Sequence, residues 1–281
     1  MAITRHVLGL SGGRDSAALA IFMREHAPEL DIEYFFTDTG KELPEVYDFL
    51  RRLEGFLGKE IVRLNADRDF DYWFREYKMF LPSPRTRWCT KNLKIRPFEA
   101  WVSETLKAGG KVVTYVAIRA DEDRLGFVSH NSALKVEFPF IEHEIDKAGV
   151  IRLLEDSGLG LPDYYKWRSR SGCTFCFFQQ KIEWVRLIRV HPEAFEEAKS
   201  YEKTALNSGS PYTWSQGESL EDLSRPERIA EIEADYERRV EREKQLRRRN
   251  PLIDDSLAAE LEIDELYDVE EGAGACVVCH K

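Results

Sequence analysis

The sequence predicts an α/β fold: a parallel twisted sheet with helices on both faces, followed by a helical, charged C-terminal extension. Three observations predict it. Residues 5–10, 32–37, 60–64 and 112–118 are short apolar runs rich in β-branched side chains, separated by helical stretches at 16–26, 43–57 and 94–108. The first run ends in Ser11-Gly12-Gly13-Arg14-Asp15-Ser16, and Ala17-Ala18-Leu19-Ala20-Ile21 then opens a helix. A charged stretch from Ser224 to Arg249 carries helix start and stop signals at its two ends. Strands that alternate with helices pair in parallel, and both sheet faces then need helical cover. Two units are expected, residues 1–190 as the sheet domain and 191–281 as the extension.

The loop after the first strand is the most informative element. Two adjacent glycines let backbone N–H groups approach an anion, Ser11 and Ser16 offer hydroxyls, and the following helix points its positive end at the same place. Arg14 adds a cation and Asp15 can reach a magnesium ion. An ordinary Gly-Gly turn is the competing reading, and the Gly-x-x-x-x-Gly-Lys spacing of a Walker loop is absent. The second strand closes on Thr37-Asp38-Thr39-Gly40, suited to holding a ribose or adenine, with Glu42, Pro44 and Glu45 at the next helix start. After the fourth strand, Arg119 and Arg124 can grip phosphate oxygens bidentately; surface arginines paired with the acids at 121–123 are the alternative. Ligands of such sheets sit beyond the carboxyl ends of the strands, so residues 11–16, 37–40, Cys89 and 119–124 are expected to converge.

Farther along, residues 131–178 read as irregular, with Pro139, Pro162 and a short helix near 146–156 ended by Gly158-Leu159-Gly160-Leu161-Pro162. Residues 179–189 read as helical. Ser224-Arg225-Pro226-Glu227 reads as a capping box for a long charged helix that Asn250-Pro251 stops. The tail is acidic, then glycine-rich, then Cys276-Val277-Val278-Cys279-His280-Lys281, and no internal repeat is present.

A net charge of −10 on 281 residues argues against bulk electrostatic coating of nucleic acid. Local basic groups remain: Arg85 and Arg87 with Lys91, Lys94 and Arg96; Lys166, Arg168 and Arg170; and the stretch 242–249, whose many glutamates fit a solvated helix face. No segment approaches the twenty or so apolar residues of a membrane span. The chain enters its first strand directly, which leads to the expectation of a cytoplasmic protein.

Five cysteines in a reducing compartment read as metal ligands or redox groups. Cys173-Thr174-Phe175-Cys176 has the spacing that places two thiolates on one metal or cluster, and Cys89 can supply a third. Trp88, Phe175, Phe177 and Phe178 would surround them with a partly dry shell that suits an iron–sulfur cluster; zinc and a purely structural pair are the alternatives. Cys276 and Cys279 with His280 spell a haem-attachment pattern, which requires export. A fourth cluster ligand from this pair, a persulfide relay and a tail without a role stay open.

The hexapeptide at 11–16 resembles the PP-loop of ATP pyrophosphatases. Together with Thr37-Asp38-Thr39-Gly40-Lys41-Glu42-Leu43-Pro44-Glu45, the run from Ile118 to Arg124, Pro139-Phe140-Ile141-Glu142, Leu159-Gly160-Leu161-Pro162 before Tyr164-Tyr165, and Arg170-Ser171-Gly172-Cys173-x-x-Cys176, it resembles the phosphoadenosine phosphosulfate reductase superfamily over roughly two thirds of the chain. The Glu-Cys-Gly-type tail of the sulfite-releasing reductases is missing, and the small subunits of sulfate adenylyltransferases lack such a cysteine motif. Arg87-Trp88-Cys89-Thr90 with Leu93-Lys94, and Ser171-Gly172-Cys173-x-x-Cys176-Phe177-Phe178-Gln179, are similar to the ATP pyrophosphatases of bacterial DNA phosphorothioation, the DndC and SspD type.

The resemblance implies an ATP pyrophosphatase and sulfurtransferase. ATP and magnesium would be used to adenylate a DNA backbone phosphate, and sulfur delivered through a [4Fe-4S] cluster would displace AMP. It implies Ser11, Asp15 and Arg119 as catalytic residues. Nucleotide binding would fall to Ser11, Gly12, Gly13, Arg14, Asp15, Ser16, Thr37, Asp38, Thr39, Gly40, Arg119 and Arg124, and cluster binding to Cys89, Cys173, Cys176 and either Cys276 or Cys279. Arg14 stands where relatives commonly carry lysine. The implied partners are DNA, a cysteine desulfurase as sulfur donor and further subunits of a modification complex, with no membrane. A tRNA thiolation ATPase, a phosphoadenosine phosphosulfate reductase-like enzyme and a regulatory subunit that binds ATP without turnover are the other readings.

Overall fold

Val7 and Leu8, adjacent in strand β1 (Thr4–Gly9), are both completely buried, which requires cover on both faces because consecutive side chains of a strand point opposite ways. The computed structural model describes residues 3–65, 67–123 and 131–248. After β1 come α1 (Arg14–His26), β2 (Ile32–Phe36), α2 (Pro44–Leu57), β3 (Ile61–Arg63), α3 (Phe70–Glu76), α4 (Trp88–Thr90), α5 (Arg96–Lys107), β4 (Lys111–Tyr115) and β5 (Leu134–Glu137). The five strands form one sheet in the order β3-β2-β1-β4-β5, and every neighbouring pair is parallel. The predicted α/β architecture is the observed one.

The two faces are covered differently. Val7, Phe35 and Val112 face α5, where Phe98 stacks on Phe35 with ring centroids 5.0 Å apart. Leu8, Tyr34 and Phe36 face the larger core of α1, α2 and the later helices α6 (Pro139–Glu142) and α7 (Lys147–Asp156). Chain order reverses across the β1/β4 pair, since β2 lies on one side of β1 and β4 on the other. The crevice beyond the carboxyl ends of these two strands is where such sheets take ligands.

Several boundaries moved for local reasons. The helix expected at 94–108 is preceded by a wider π turn at Lys91–Ile95, in which the Arg96 N–H reaches the Lys91 carbonyl. Pro97 has no N–H to give to Leu93, so the regular ladder cannot run through this point. Residues 131–178 are less irregular than expected: β5 extends the sheet by parallel pairing of Val112 to Tyr115 with Leu134 to Glu137. The next helix, α8 (Lys181–Val190), starts after Gln180, whose N–H is accepted by the Glu183 carboxylate at 2.9 Å. The Ser224 hydroxyl does not cap the long helix; it donates to the Glu221 carbonyl at the end of α10 (Leu220–Leu223), and α11 (Pro226–Arg248) begins at the proline.

Helix α9 (Pro192–Asn207) follows α8 directly, Pro192 being placed at its first turn where a missing N–H costs nothing. The buried Glu202 carboxylate accepts the N–H groups of Trp214 at 2.8 Å and Leu220 at 2.5 Å, which folds the 208–219 connection back on α9. One apolar cluster runs from Leu8 and Leu19 through Trp184 to Phe195, Trp214 and Ile232.

Candidate nucleotide and thiol site

The loop after β1 is built around a glycine in the left-handed region of backbone conformation. Gly12 has φ of +71°, and a Cβ there would lie 2.6 Å from Val46 Cγ1 on α2. Gly13 returns to extended backbone as the residue preceding α1. The Ser11 N–H donates to Ser16 Oγ at 3.1 Å, Ser16 Oγ donates to the Gly13 carbonyl, and the Gly13 N–H reaches Ser11 Oγ at 3.3 Å. The residues named from sequence for this loop therefore form one compact turn at the positive end of a 13-residue helix.

Arg119 reaches the same turn from the end of β4. Its Nη1 donates to Asp15 Oδ1 at 3.0 Å, and Nε and Nη2 make a bidentate pair with Asp121 at 2.9 and 3.2 Å. Glu122 lies 3.1 Å from the same Nη1. Burial works against the Arg119 cation, but Asp121, Asp15 and Glu122 together raise its pKa above the usual arginine value. Burial likewise opposes ionisation of Asp121, and the Arg119 fork outweighs it, leaving that carboxyl below its usual range. In this state the arginine expected to hold phosphate is held by three carboxylates. Arg124 lies outside the described residues.

The second loop and the cysteine motif are one structure. Asp38 Oδ1 accepts from the Gly40 N–H at 2.8 Å and from the Tyr47 hydroxyl at 2.7 Å, while Thr37 is half-buried beside it. Thr39 Oγ1 donates to Glu42 at 3.0 Å and lies 3.3 Å from Cys173 Sγ. The Cys173 thiol also faces Glu42 Oε1 at 3.7 Å, and Glu42 and Cys173 form an isolated antiparallel bridge. Desolvation and the Glu42 charge push this thiol well above its ordinary pKa. Two residues earlier, Ser171 Oγ donates to Ser11 Oγ at 3.2 Å. The sequence led to the expectation that the loops at 11–16 and 37–40 converge; the structure joins the 171–173 segment to both through hydrogen bonds.

The expected cluster is less well supported. Cys89, Cys173 and Cys176 are half-buried and in no disulfide, and Cys89 and Cys176 pack against the main apolar cluster. Among the described residues no group of three or more His, Cys, Asp or Glu side chains comes together as a metal site. Cys276 and Cys279 lie outside the described residues.

Residues 5–126 match the family described as the phosphoadenosine phosphosulfate reductase domain. The chain is 26% identical over 199 residues to an uncharacterised protein of Methanocaldococcus jannaschii, covering 66% of this chain and 45% of the relative. It is 28% identical over 144 residues to an uncharacterised nin-region protein of Escherichia phage lambda, covering 42% and 49%. It thus spans about half the length of the curated relatives it matches. Among solved structures, phosphoadenylyl-sulfate reductase from Candida auris aligns with TM-score 0.47 and 14% identity, covering 60% of this chain and 81% of that one. The U34-tRNA thiolase NcsA from Methanococcus maripaludis, solved with its [4Fe-4S] cluster, aligns with TM-score 0.39 and 14% identity, covering 73% and 72%.

Several residues named in the sequence only as parts of motifs make contacts around the loop at 11–16 and the loop at 37–45 that the sequence did not foretell. The Tyr164 hydroxyl donates to the Gly12 carbonyl at 2.7 Å, and the Tyr165 hydroxyl accepts the Arg14 N–H at 3.3 Å with the Arg14 guanidinium 5.1 Å from its ring centre. Burial pushes Tyr165 up to about 12. Adjacent tyrosines 150 residues downstream carry no spacing signal for such a contact. Likewise, Lys41 Nζ pairs with Glu197 of α9 at 2.7 Å, and His191 Nε2 lies 2.8 Å from Glu45. These contacts tie the wall of the second loop to the C-terminal helices. No helix among the described residues is long and apolar enough to cross a membrane.

Proposed function

We propose that this chain is an ATP pyrophosphatase that activates a DNA backbone phosphate for sulfur incorporation. The observation that carries the reading is the joining of the cysteine motif to both nucleotide-type loops, Ser171 to Ser11 at 3.2 Å and Cys173 to Thr39 at 3.3 Å. A thiol segment so placed stands where an adenylated product would form. In the proposed first step a non-bridging phosphate oxygen of DNA attacks the α-phosphorus of ATP, the α–β P–O bond breaks, and pyrophosphate leaves. A sulfur nucleophile then attacks the activated DNA phosphorus and AMP leaves.

The chain's own groups have defined tasks in this scheme. The N–H groups at the start of α1, with Ser11 and Ser16, face the leaving pyrophosphate and stabilise its charge without reorganising. Asp15 and Ser16 would hold magnesium, which neutralises charge on the phosphates when bound. Arg119, now shared among Asp15, Asp121 and Glu122, exchanges part of that carboxylate set for phosphate oxygens.

Pyrophosphate release from ATP tests the reading directly. Ser11→Ala and Asp15→Ala are each expected to lower it by roughly 100-fold or more, the first by losing a charge-stabilising donor and the second by losing the magnesium ligand. Release at the wild-type rate in both variants sinks the assignment. Phosphorothioate dinucleotides found by mass spectrometry in DNA of cells carrying the gene identify the acceptor; sulfur in tRNA instead would replace DNA by tRNA.

A further inference from the structure

Helix α1 begins without a cap from its own sequence. Gly13, which precedes it, has no side chain to accept the first N–H groups, and a helix start leaves those donors without an intrahelical partner. The Arg14 N–H instead reaches across 151 positions to the Tyr165 hydroxyl. Tyr164 and Tyr165 lie in one short turn, Asp163–Lys166, with ring centres 4.8 Å apart, yet they hold the loop at 11–16 by opposite kinds of contact. Completely buried Tyr164 donates to the Gly12 carbonyl at 2.7 Å, a normal length for a hydroxyl donor. Tyr165 accepts, and at 3.3 Å its hydrogen bond is longer than the usual ~2.9–3.0 Å. The Gly13 N–H also holds a neutral hydroxyl, Ser11 Oγ, at the same 3.3 Å.

Two N–H groups of this loop are thus occupied by weakly held, uncharged oxygens. A phosphate oxygen makes a shorter, charge-assisted hydrogen bond roughly twice as strong, so it outcompetes a neutral hydroxyl for the same donor. Burial keeps the Tyr165 phenol protonated, with its pKa pushed up to about 12, so it cannot supply that charge itself. We infer that the Tyr165 hydroxyl is a placeholder for a phosphate oxygen at the Arg14 N–H, given up when the pyrophosphate group of the nucleotide enters the loop. Tyr165 is in this sense a positioning residue: it keeps the first turn of α1 capped between turnovers, and its hydroxyl sets how tightly the anion is held. Tyr164, bonded to a carbonyl, competes with no anion and stays in place. The inference deepens the proposed function and rests on it for the identity of the anion.

The test is binding of inorganic pyrophosphate with magnesium to the full-length protein, measured by isothermal titration calorimetry. Tyr165→Phe removes the competing hydroxyl and is expected to bind roughly 2- to 10-fold more tightly than the wild type, the worth of one neutral hydrogen bond. Tyr164→Phe, which takes a donor from a carbonyl, is expected to bind no more tightly than the wild type. Weaker or unchanged binding by Tyr165→Phe means that the hydroxyl stays with the anion or plays no part, and either result overturns the inference. An equal gain in Tyr164→Phe overturns it as well, because a generally loosened loop would then explain both. Thermal unfolding checks that the variants are folded. Should Tyr165→Phe fail to fold, 3-fluorotyrosine at position 165 of the otherwise unaltered chain is expected to shift its fluorine resonance on addition of magnesium pyrophosphate; a bound anion with an unmoved resonance overturns the inference. A wild type that binds no pyrophosphate also overturns it. Pyrophosphate release from ATP is read separately: a wild type that shows the expected binding contrast but releases none from ATP defeats the proposed function and leaves the placeholder standing.

Discussion

The loop at 11–16 and the cysteine loop at 169–180 touch at Ser11 and Ser171, but they are held in opposite ways. The first is shaped by its own backbone, a positive-φ glycine with a strand before it and a 13-residue helix after it, and the hydroxyls of Ser11, Ser16, Tyr164 and Tyr165 add to it. The second has almost no regular structure and is held by side chains reaching in from elsewhere. Glu183, completely buried, accepts from the Ser169 N–H and hydroxyl at 2.6 Å each and from the Gln180 N–H at 2.9 Å. Arg168 donates to the carbonyls of Gly172 and Cys173, and Gln179 accepts the Cys176 N–H. The first loop depends most on the backbone conformation of its glycine, whereas the cysteine loop, with no strand or helix inside it, depends on the side chains that reach it.

The largest effect that would sharpen this contrast is expected at Glu183. Glu183→Ala strands three buried donors at the two ends of the cysteine loop, and charged hydrogen bonds of this kind are worth about 1.5–3 kcal/mol each. Roughly 3–5 kcal/mol of destabilisation in urea unfolding is expected, with faster labelling of Cys173 and Cys176 by thiol reagents. A loss below about 1 kcal/mol would break the comparison.

Gly12→Ala comes next. It forces a side chain onto Val46 at a positive φ, and overpacking combined with left-handed strain costs about 2–3 kcal/mol. Val46→Ala in the same chain is expected to recover part of that stability by giving the new Cβ room. Full recovery would mean that sterics alone, without backbone strain, fix this glycine.

The smallest effect concerns acid. Asp121 has a folded-state pKa below its unfolded value of about 3.9, so the stability it contributes is present above that value and is lost as pH falls toward the folded pKa. Between pH 5 and pH 3 the wild type should therefore lose more stability than Asp121→Asn, by a few tenths of a kcal/mol because the carboxyl is partly exposed. Equal losses in the two proteins would place the acid sensitivity elsewhere.

Much of this site is legible in local sequence. The turn at 11–16 could be read because its chemistry is contiguous: glycines, hydroxyls and a helix start within one hexapeptide. The Asp-Thr-Gly segment was legible for the same reason, and so was the two-residue spacing of Cys173 and Cys176. Arg119 was placed correctly beyond a strand end, but its engagement by Asp15 arises from residues 104 apart. Gathering Cys89 with the Cys173 and Cys176 pair also needs long-range geometry, and there the expected three-thiol set is not assembled among the described residues.

By itself, then, the sequence determined the alternation of strands and helices, the parallel sheet and the positions of the loops beyond its strands, because hydrophobic period and glycine placement act over a few residues. Only the tertiary structure decided the partners: Tyr164 on Gly12, Glu42 and Thr39 on Cys173, Glu183 under the cysteine loop, and Arg87 with Arg170 on one phenylalanine. Such pairings are set by how helices pack against the sheet, and no local signal in the chain encodes which distant side chain will arrive.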